Sequence, residues 1–439
     1  MGTRLSSSAL YSHLWGAPAT DALFDERAML QSWLDILAAL ARAQASLGIV
    51  TPEAAEAITR SAKVEALDLE FVAEQTRFTS HSTLGLIRGL QRVLPEGARE
   101  QVYLGATVQD LTDTWFGTLL RDVGELVAAG LRGIEARLRA LALEHRDTPM
   151  AGRTHGQPGS PITLGYKVAS WADEAGRHLD RLREGRARWC VGQLAGAVGA
   201  LAFFGADGPE LRARFCAEVG LADPGISWTT SRDRIAEFGG VLAMVCGTLA
   251  RIGTEVYELA RPEIGELAEA APPGAVSSIT MPHKRNPEGA EHLDTLARLA
   301  RSSAAVLLEG MVAAHERDGR AWKAEWIALP EICQLTAASV SLGRRLLDGL
   351  EVRPAAMAAN LAKAGGLSSE RILVGLAGKI GKHRAQQELQ EVFRSGADPV
   401  EVLVGRGLAT ADEIRAWSTA DAVAAAGAMV DTVLARGPR

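Results

Sequence analysis

Between Gln109 and His145 the chain runs about 37 residues without a proline, enough for one helix of roughly 55 Å at 1.5 Å per residue. A helix of that length cannot bury its own apolar stripe, so it demands partners of similar length lying beside it. The sequence offers them. Pro161–Arg188 reads as a second long helix, Thr230–Ala270 as a third with a kink at Pro262, and Pro287 to about Arg320 as a fourth. Leu329-Pro330 interrupts, and helix resumes to Leu350. Aromatic residues are only 5% of the chain and alternating strand patterns are scarce, so the fold class is all-α with a central long-helix bundle.

Shorter helices flank the bundle. Phe24–Leu47 carries apolar residues at helical spacing, and Thr51-Pro52-Glu53 opens the next helix with a capping hydroxyl and a proline at its first position. Past Glu351-Val352-Arg353-Pro354 the helices shorten and Gly365-Gly366, Gly381 and Gly405 punctuate them. Three segments follow: residues 1–108, an N-terminal helical domain; 109–350, the bundle; and 351–439, a small C-terminal helical domain.

The 439 residues, 47% of them hydrophobic, can bury a large core. A net charge of −6 offers no global basic field for nucleic acid, so an anionic ligand must be met by locally placed cations. No unbroken apolar run of about 20 residues marks a membrane span, and the N-terminus lacks the apolar core of a signal peptide. The four cysteines are scattered along apolar helical stretches without metal-like spacing, which suits free thiols in a reducing cytoplasm. No metal, nicotinamide or phosphate motif is seen, so no cofactor is expected.

Chemistry concentrates in Ala271–His292, APPGAVSSITMPHKRNPEGAEH. It joins a Pro/Gly lead-in, two serines at 277 and 278, the cations Lys284 and Arg285, and Asn286-Pro287, a strong helix start. The free N–H groups and positive dipole end of that helix suit a carboxylate ligand; a solvated, well-capped inter-helix loop is the plainer alternative. SSITMPHKRNP resembles the signature loop G-S-S-x-M-P-x-K-x-N of the aspartase/fumarase superfamily. By that resemblance Ser278 is the catalytic base, Ile279 replaces the family's second serine, Ser277 replaces its glycine, and Lys284 and Asn286 hold the substrate.

Two further stretches resemble the same superfamily, within its subgroup of 3-carboxy-cis,cis-muconate cycloisomerase and adenylosuccinate lyase. Arg153-Thr154-His155-Gly156-Gln157 lies in a Gly/Pro-rich turn, where a surface or capping histidine is the plainer reading of the residues alone, and the resemblance implies His155 as general acid or relay with Thr154 and Gln157 lining the substrate. YLGATVQDLTDTW, 103–115, resembles H-x-G-x-T-S-x-D-x-x-D-T, a carboxylate-holding loop. Thr107 and Asp110 match, whereas Tyr103 stands for the histidine and Val108 for the serine, which removes one hydroxyl worth about 0.5–1.5 kcal/mol. His81, in Thr79-Ser80-His81, resembles an assisting histidine and has an equally simple structural reading.

HERDGRAWKAEW, 315–326, resembles the cycloisomerase group, with Arg317 at a substrate-contacting position. Where adenylosuccinate lyase grips a phosphate with serine and arginine, this chain carries Trp322 and Trp326, so a nucleotide substrate is disfavoured. For the tryptophans themselves, helix packing is the alternative. Ser231, ahead of Arg232-Asp233-Arg234, also departs from the relatives' glutamine.

The resemblance implies a three-domain helical subunit, a homotetramer with shared active sites, and anti β-elimination that releases fumarate from a small 2-substituted succinate. Cleavage of a C–N bond is expected, with an amine or nitrite leaving, as in a nitrosuccinate lyase. The alternatives are the lactonising cycloisomerase and a non-catalytic structural descendant.

Overall fold

The computed structural model describes residues 5, 8, 10–271, 274, 276, 278–364, 369–419 and 423–439. In chain order the elements that matter for the site are α1 (Glu26–Ala45), α2 (Pro52–Ser61), α3 (Leu84–Val93), α4 (Val108–Glu144), β1 (Pro149–Thr154), β2 (Gln157–Thr163) and α5 (Leu164–Trp189). They continue with α6 (Asp233–Ala260), β3 (Leu267–Glu269), α7 (Glu288–Glu309), α8 (Gly319–Asp348) and β4 (Leu350–Val352). Among the described residues the fold is all-α apart from two short antiparallel pairs, β1 with β2 and β3 with β4, and one isolated bridge between Val191 and Ala222. The longest helix covers 37 residues, one residue out of register with the proline-free run that announced it.

Several expected boundaries are corrected, each for a local reason. Pro158 and Pro161 lie in a strand, so α5 starts only at Leu164. α6 stops at Ala260 instead of kinking at Pro262, and Gly265, at φ 62, turns the chain into β3. Pro330, expected to interrupt, sits inside a continuous α8, where it removes one backbone donor without ending the helix. The stretch expected to continue from α7 to Arg320 instead breaks after Glu309, because Asp318 recaptures the chain: its carboxylate accepts from the backbone N–H of Ala314 and of Arg320, at 3.0 Å each, and α8 begins beside it. The Thr51 cap holds as expected, its hydroxyl accepting from Ala54 N–H at 3.2 Å. Gly365-Gly366 lie outside the described residues.

Contacts divide the chain into two compact units, each assembled from three pieces. The first comprises Met1–Leu131, His178–Ala250 and His292–Leu342. Within it the long helices approach closely enough that glycine is required at the crossings. A Cβ on Gly130 would stand 2.3 Å from Val340 Cγ1, and one on Gly239 would stand 2.5 Å from Leu307 Cδ1, so α4 meets α8 and α6 meets α7 there. Trp189 and Phe238 stack edge to face at 5.3 Å between α5 and α6. Fully buried Phe116, Leu242, Leu296 and Leu329 fill the spaces, each side chain contributing about 1.5–3 kcal/mol by its removal from water. α1 packs on α2 and on Gly208–Glu218, with Arg42 Nε 2.8 Å from Glu218.

The second unit comprises Arg132–Arg177, Arg251–Glu291 and Gly343–Arg439. Lys167 reaches Glu255 at 2.6 Å, Arg137 Nε donates to the Leu347 carbonyl at 3.2 Å, and Arg146 pairs with Asp431. Past β4, the short helices Ser369–Ile380, Lys382–Ser395, Pro399–Gly405 and Ala411–Thr419 close over their own cluster of Leu376, Leu389, Val392, Leu403 and Ile414.

Candidate active site

In the first unit, the loop before α4 meets the loop before α8. Arg317 Nη1 donates to Thr107 Oγ1 at 2.6 Å, one residue ahead of the N-terminus of α4. Asp110 caps that helix by accepting from Thr107 N–H at 2.9 Å, and its carboxylate also accepts from Ala195 N–H (2.8 Å) and Gly196 N–H (3.1 Å). Burial pushes the Asp110 carboxyl up to about 7, against these three donors. Tyr103 sits at φ 64, a strained conformation for a non-glycine residue, in the neighbourhood of Asp110, Thr83 and Arg317. Burial, then the Asp110 charge, raises its phenol well above the ordinary value, so it acts as a neutral hydrogen-bonding group.

His81, on the segment leading to Thr83, is exposed. Its Nδ1 accepts from Thr83 N–H and Leu84 N–H at 3.4 and 3.3 Å, which caps α3. The simple structural role expected for His81, a helix cap, is therefore the one it fills. Trp326 stacks edge to face on Trp33 (5.8 Å) and Trp322 (5.5 Å), and Trp33 on Trp115 (5.9 Å). The two tryptophans are packing residues.

In the second unit, His155 and Gly156, at φ 54 and 76, form the two-residue turn joining β1 and β2. Two successive positive φ values are what a tight hairpin of right-handed twist requires, and histidine occupies the first of them at a steric cost. Thr154, His155 and Gln157 are all exposed at this tip. The hairpin is tied down by Arg153, whose Nη2 and Nη1 meet the buried Glu266 carboxylate at 2.7 and 2.9 Å. Asn360 Nδ2 also donates to Glu266, at 2.9 Å.

Ser278 is half-buried and its Oγ accepts from Met281 N–H at 3.0 Å, while Lys284 N–H donates to the Met281 carbonyl at 2.9 Å. A hydroxyl that accepts from the backbone here keeps its own proton directed elsewhere. Ser277 lies outside the described residues. Lys284 and Asn286, with His283, line a cleft of about 710 Å³ against Glu269 and Arg353; among the described residues Ser278 and the hairpin tip are not in its lining.

The expected carboxylate site at the start of the following helix is corrected. α7 begins at Glu288, and its free N–H groups at Gly289 and Ala290 already donate to the side chain of Glu269, at 3.1 and 2.7 Å. The protein supplies its own carboxylate there. Arg285 anchors the same end of the loop, donating to Glu351 Oε1 at 2.8 Å and to the Glu269 carbonyl at 2.9 Å.

Sequence reasoning passed over Glu269 and the buried cluster of Arg232, Asp113 and Glu325. For Arg232 a signal existed: a cation beside a helix N-terminus opposes the dipole unless anions compensate it. Glu269 carried none.

A long-helix fold with 37 residues in α4 places the chain among the helical lyases of the fumarase/aspartase type. The model of the family described as "Lyase" matches residues 15–300, and the chain belongs to that family. It is 38% identical over 392 residues to N-acetyl-S-(2-succino)cysteine lyase of Enterococcus italicus, covering 89% of this chain and 86% of the relative. It is 37% identical over 390 residues to 3-carboxy-cis,cis-muconate cycloisomerase of Pseudomonas putida, covering 88% and 92%. The crystal structure of 3-carboxy-cis,cis-muconate lactonizing enzyme from Pseudomonas putida superposes with a TM-score of 0.88 at 34% identity, covering 98% of each chain.

Proposed function

We propose that this chain is a lyase that removes a proton and a 2-substituent from a substituted succinate in anti fashion and releases fumarate. The observation that carries the reading is the Arg317 guanidinium held against Thr107 at the head of α4, a place built for one carboxylate. Lys284 and Asn286 hold the second carboxylate, where negative charge accumulates as the Cβ proton leaves. Ser278 is the base. An alcohol is a poor one in water, so Ser278 acts as its alkoxide, its own proton given up to solvent, and that alkoxide persists only when the loop closes, excludes water and surrounds it with N–H donors and Lys284. His155, with Thr154 and Gln157 beside it, protonates a leaving group that needs a proton. His81 assists, and the neutral Tyr103 phenol donates to the substrate.

The departing atom is a heteroatom. The sequence favours nitrogen, as an amine or nitrite, and the similarity to N-acetyl-S-(2-succino)cysteine lyase supports a thiolate leaving from a succinyl thioether. No metal or cofactor takes part in this scheme. The exposure of the hairpin tip and of Lys284 in a single subunit fits a homotetramer whose copies complete one another's sites. The four free, buried cysteines suit a cytoplasmic enzyme.

Incubation with an S-(2-succino)thioether, an aspartate-type amine and a nitro-substituted succinate, followed by ultraviolet detection of fumarate, tests the proposal and identifies the leaving atom. The similarity to the cycloisomerase supports one second reading, lactonisation of 3-carboxymuconate. Lactone from that substrate, with no fumarate from the others, would replace the first reading by the second.

A further inference from the structure

The segment Trp228–Arg232 carries none of the proposed substrate contacts, yet it binds the two elements that carry Thr107 and Arg317, entirely within the first unit. The Arg232 side chain is 1% exposed, between Asp113 of α4 at 0% and Glu325 of α8 at 1%. Its Nη1 and Nη2 donate to the Asp113 carboxylate at 2.8 and 3.1 Å, and its Nε donates to Glu325 Oε1 at 2.9 Å, with Nη2 also on Glu325 Oε2. Three residues earlier, Thr229 Oγ1 donates to the Glu316 carbonyl at 2.8 Å, and the Thr229 carbonyl accepts from Gln109 Nε2 at 2.7 Å.

Thr229 and Arg232 thus grip α4 at positions 109 and 113, just past Thr107, and grip the chain at 316 and 325, on either side of Arg317. Replacing such a buried ion cluster by apolar side chains is often neutral or stabilising, so stability alone is a weak reason for it. What two forked contacts from one guanidinium do supply is direction: they fix the distance between two helix starts in a way that slipping apolar surfaces do not. We infer that Arg232 and Thr229 are positioning residues that set the spacing of Arg317 and Thr107, and through it the grip on a substrate carboxylate. The identity of that ligand rests on the proposed lyase reading; the spacing does not.

Arg232 itself is a poor first target, since its removal strands two buried carboxylates. Thr229→Val deletes one hydroxyl at nearly constant volume, and Glu325→Gln keeps shape while weakening one fork. Each full-length variant is crystallised and titrated with fumarate by calorimetry, and KM and kcat are measured on whichever substituted succinate the wild type turns over. The expected result is an Arg317–Thr107 separation beyond hydrogen-bond range, about 3.5 Å or more. With it, fumarate affinity falls and KM rises about tenfold, while kcat changes much less. Unchanged separation and unchanged fumarate affinity in both variants, whatever their melting temperatures do, would overturn the inference. Should the wild type bind no fumarate, the substrate reading fails, and the separation in the variant crystals still decides whether the clamp exists.

Discussion

Arg153→Met isolates the tether of the His155 hairpin. In the wild type the guanidinium makes a forked pair with Glu266, at 2.7 and 2.9 Å, and the Glu266 side chain is 0% exposed. After the substitution that carboxylate keeps, among the described residues, the neutral Asn360 amide at 2.9 Å. Removing one partner of a buried pair leaves an uncompensated charge and costs about 3–5 kcal/mol, far more than the pair itself contributes relative to apolar packing. The double variant Arg153→Met with Glu266→Gln carries no charge to strand and retains the Asn360 contact, so it recovers more than half of the loss. The assay is equilibrium urea unfolding followed by circular dichroism at one protein concentration, with the four proteins forming a double-mutant cycle. A single variant destabilised by less than about 1 kcal/mol, or a double variant no better than the sum of the singles, would refute the reasoning.

Two further outcomes follow from the same geometry. Asp110, raised from 3.8 to about 7 by burial, holds its extra proton in the folded state between those values, so the stability this proton supplies is present below the unfolded value and is lost as pH rises through about 7. Between pH 5 and 7 wild-type stability should therefore fall relative to Asp110→Asn by roughly 2–3 kcal/mol, at up to about 1.4 kcal/mol per pH unit, and level off above that; parallel pH profiles from urea titrations would contradict it. Trp326→Ala should destabilise by about 3–5 kcal/mol, because the ring packs edge to face on both Trp33 and Trp322. A loss under about 1 kcal/mol in the same unfolding assay would show the stack to be ornamental.

What the sequence disclosed and what it withheld divide along physical lines. The run from Gln109 was legible because nothing in it breaks a helix, and α4 occupies it nearly residue for residue. The Thr51 cap was legible because capping is a local event. Pro262 and Pro330 were misread in opposite directions, since a proline's effect depends on which neighbours take up the freed backbone groups, and those come from elsewhere in the chain. The hairpin at His155 was read as an irregular turn because its strands are rich in Gly and Pro and show no alternation. In the site, the meeting of Arg317 with Thr107 joins residues 210 apart in sequence, and the capture of the α7 N-terminus by Glu269 joins a three-residue strand to a helix. Neither pairing has a local signature. Motif resemblance named Arg317 and Thr107 without saying that they touch, and the capping and dipole argument assigned the α7 start to a ligand where the protein's own carboxylate sits.

The central claim is that Ser278, as its alkoxide, takes the proton from carbon. Its most direct measurement is fumarate release by Ser278→Ala, compared with wild type on the best substituted succinate, with circular dichroism and sedimentation run on the same samples. The account predicts a loss of at least about 10³-fold in kcat with secondary structure and assembly unchanged. Turnover by a folded Ser278→Ala protein at the wild-type rate would contradict it.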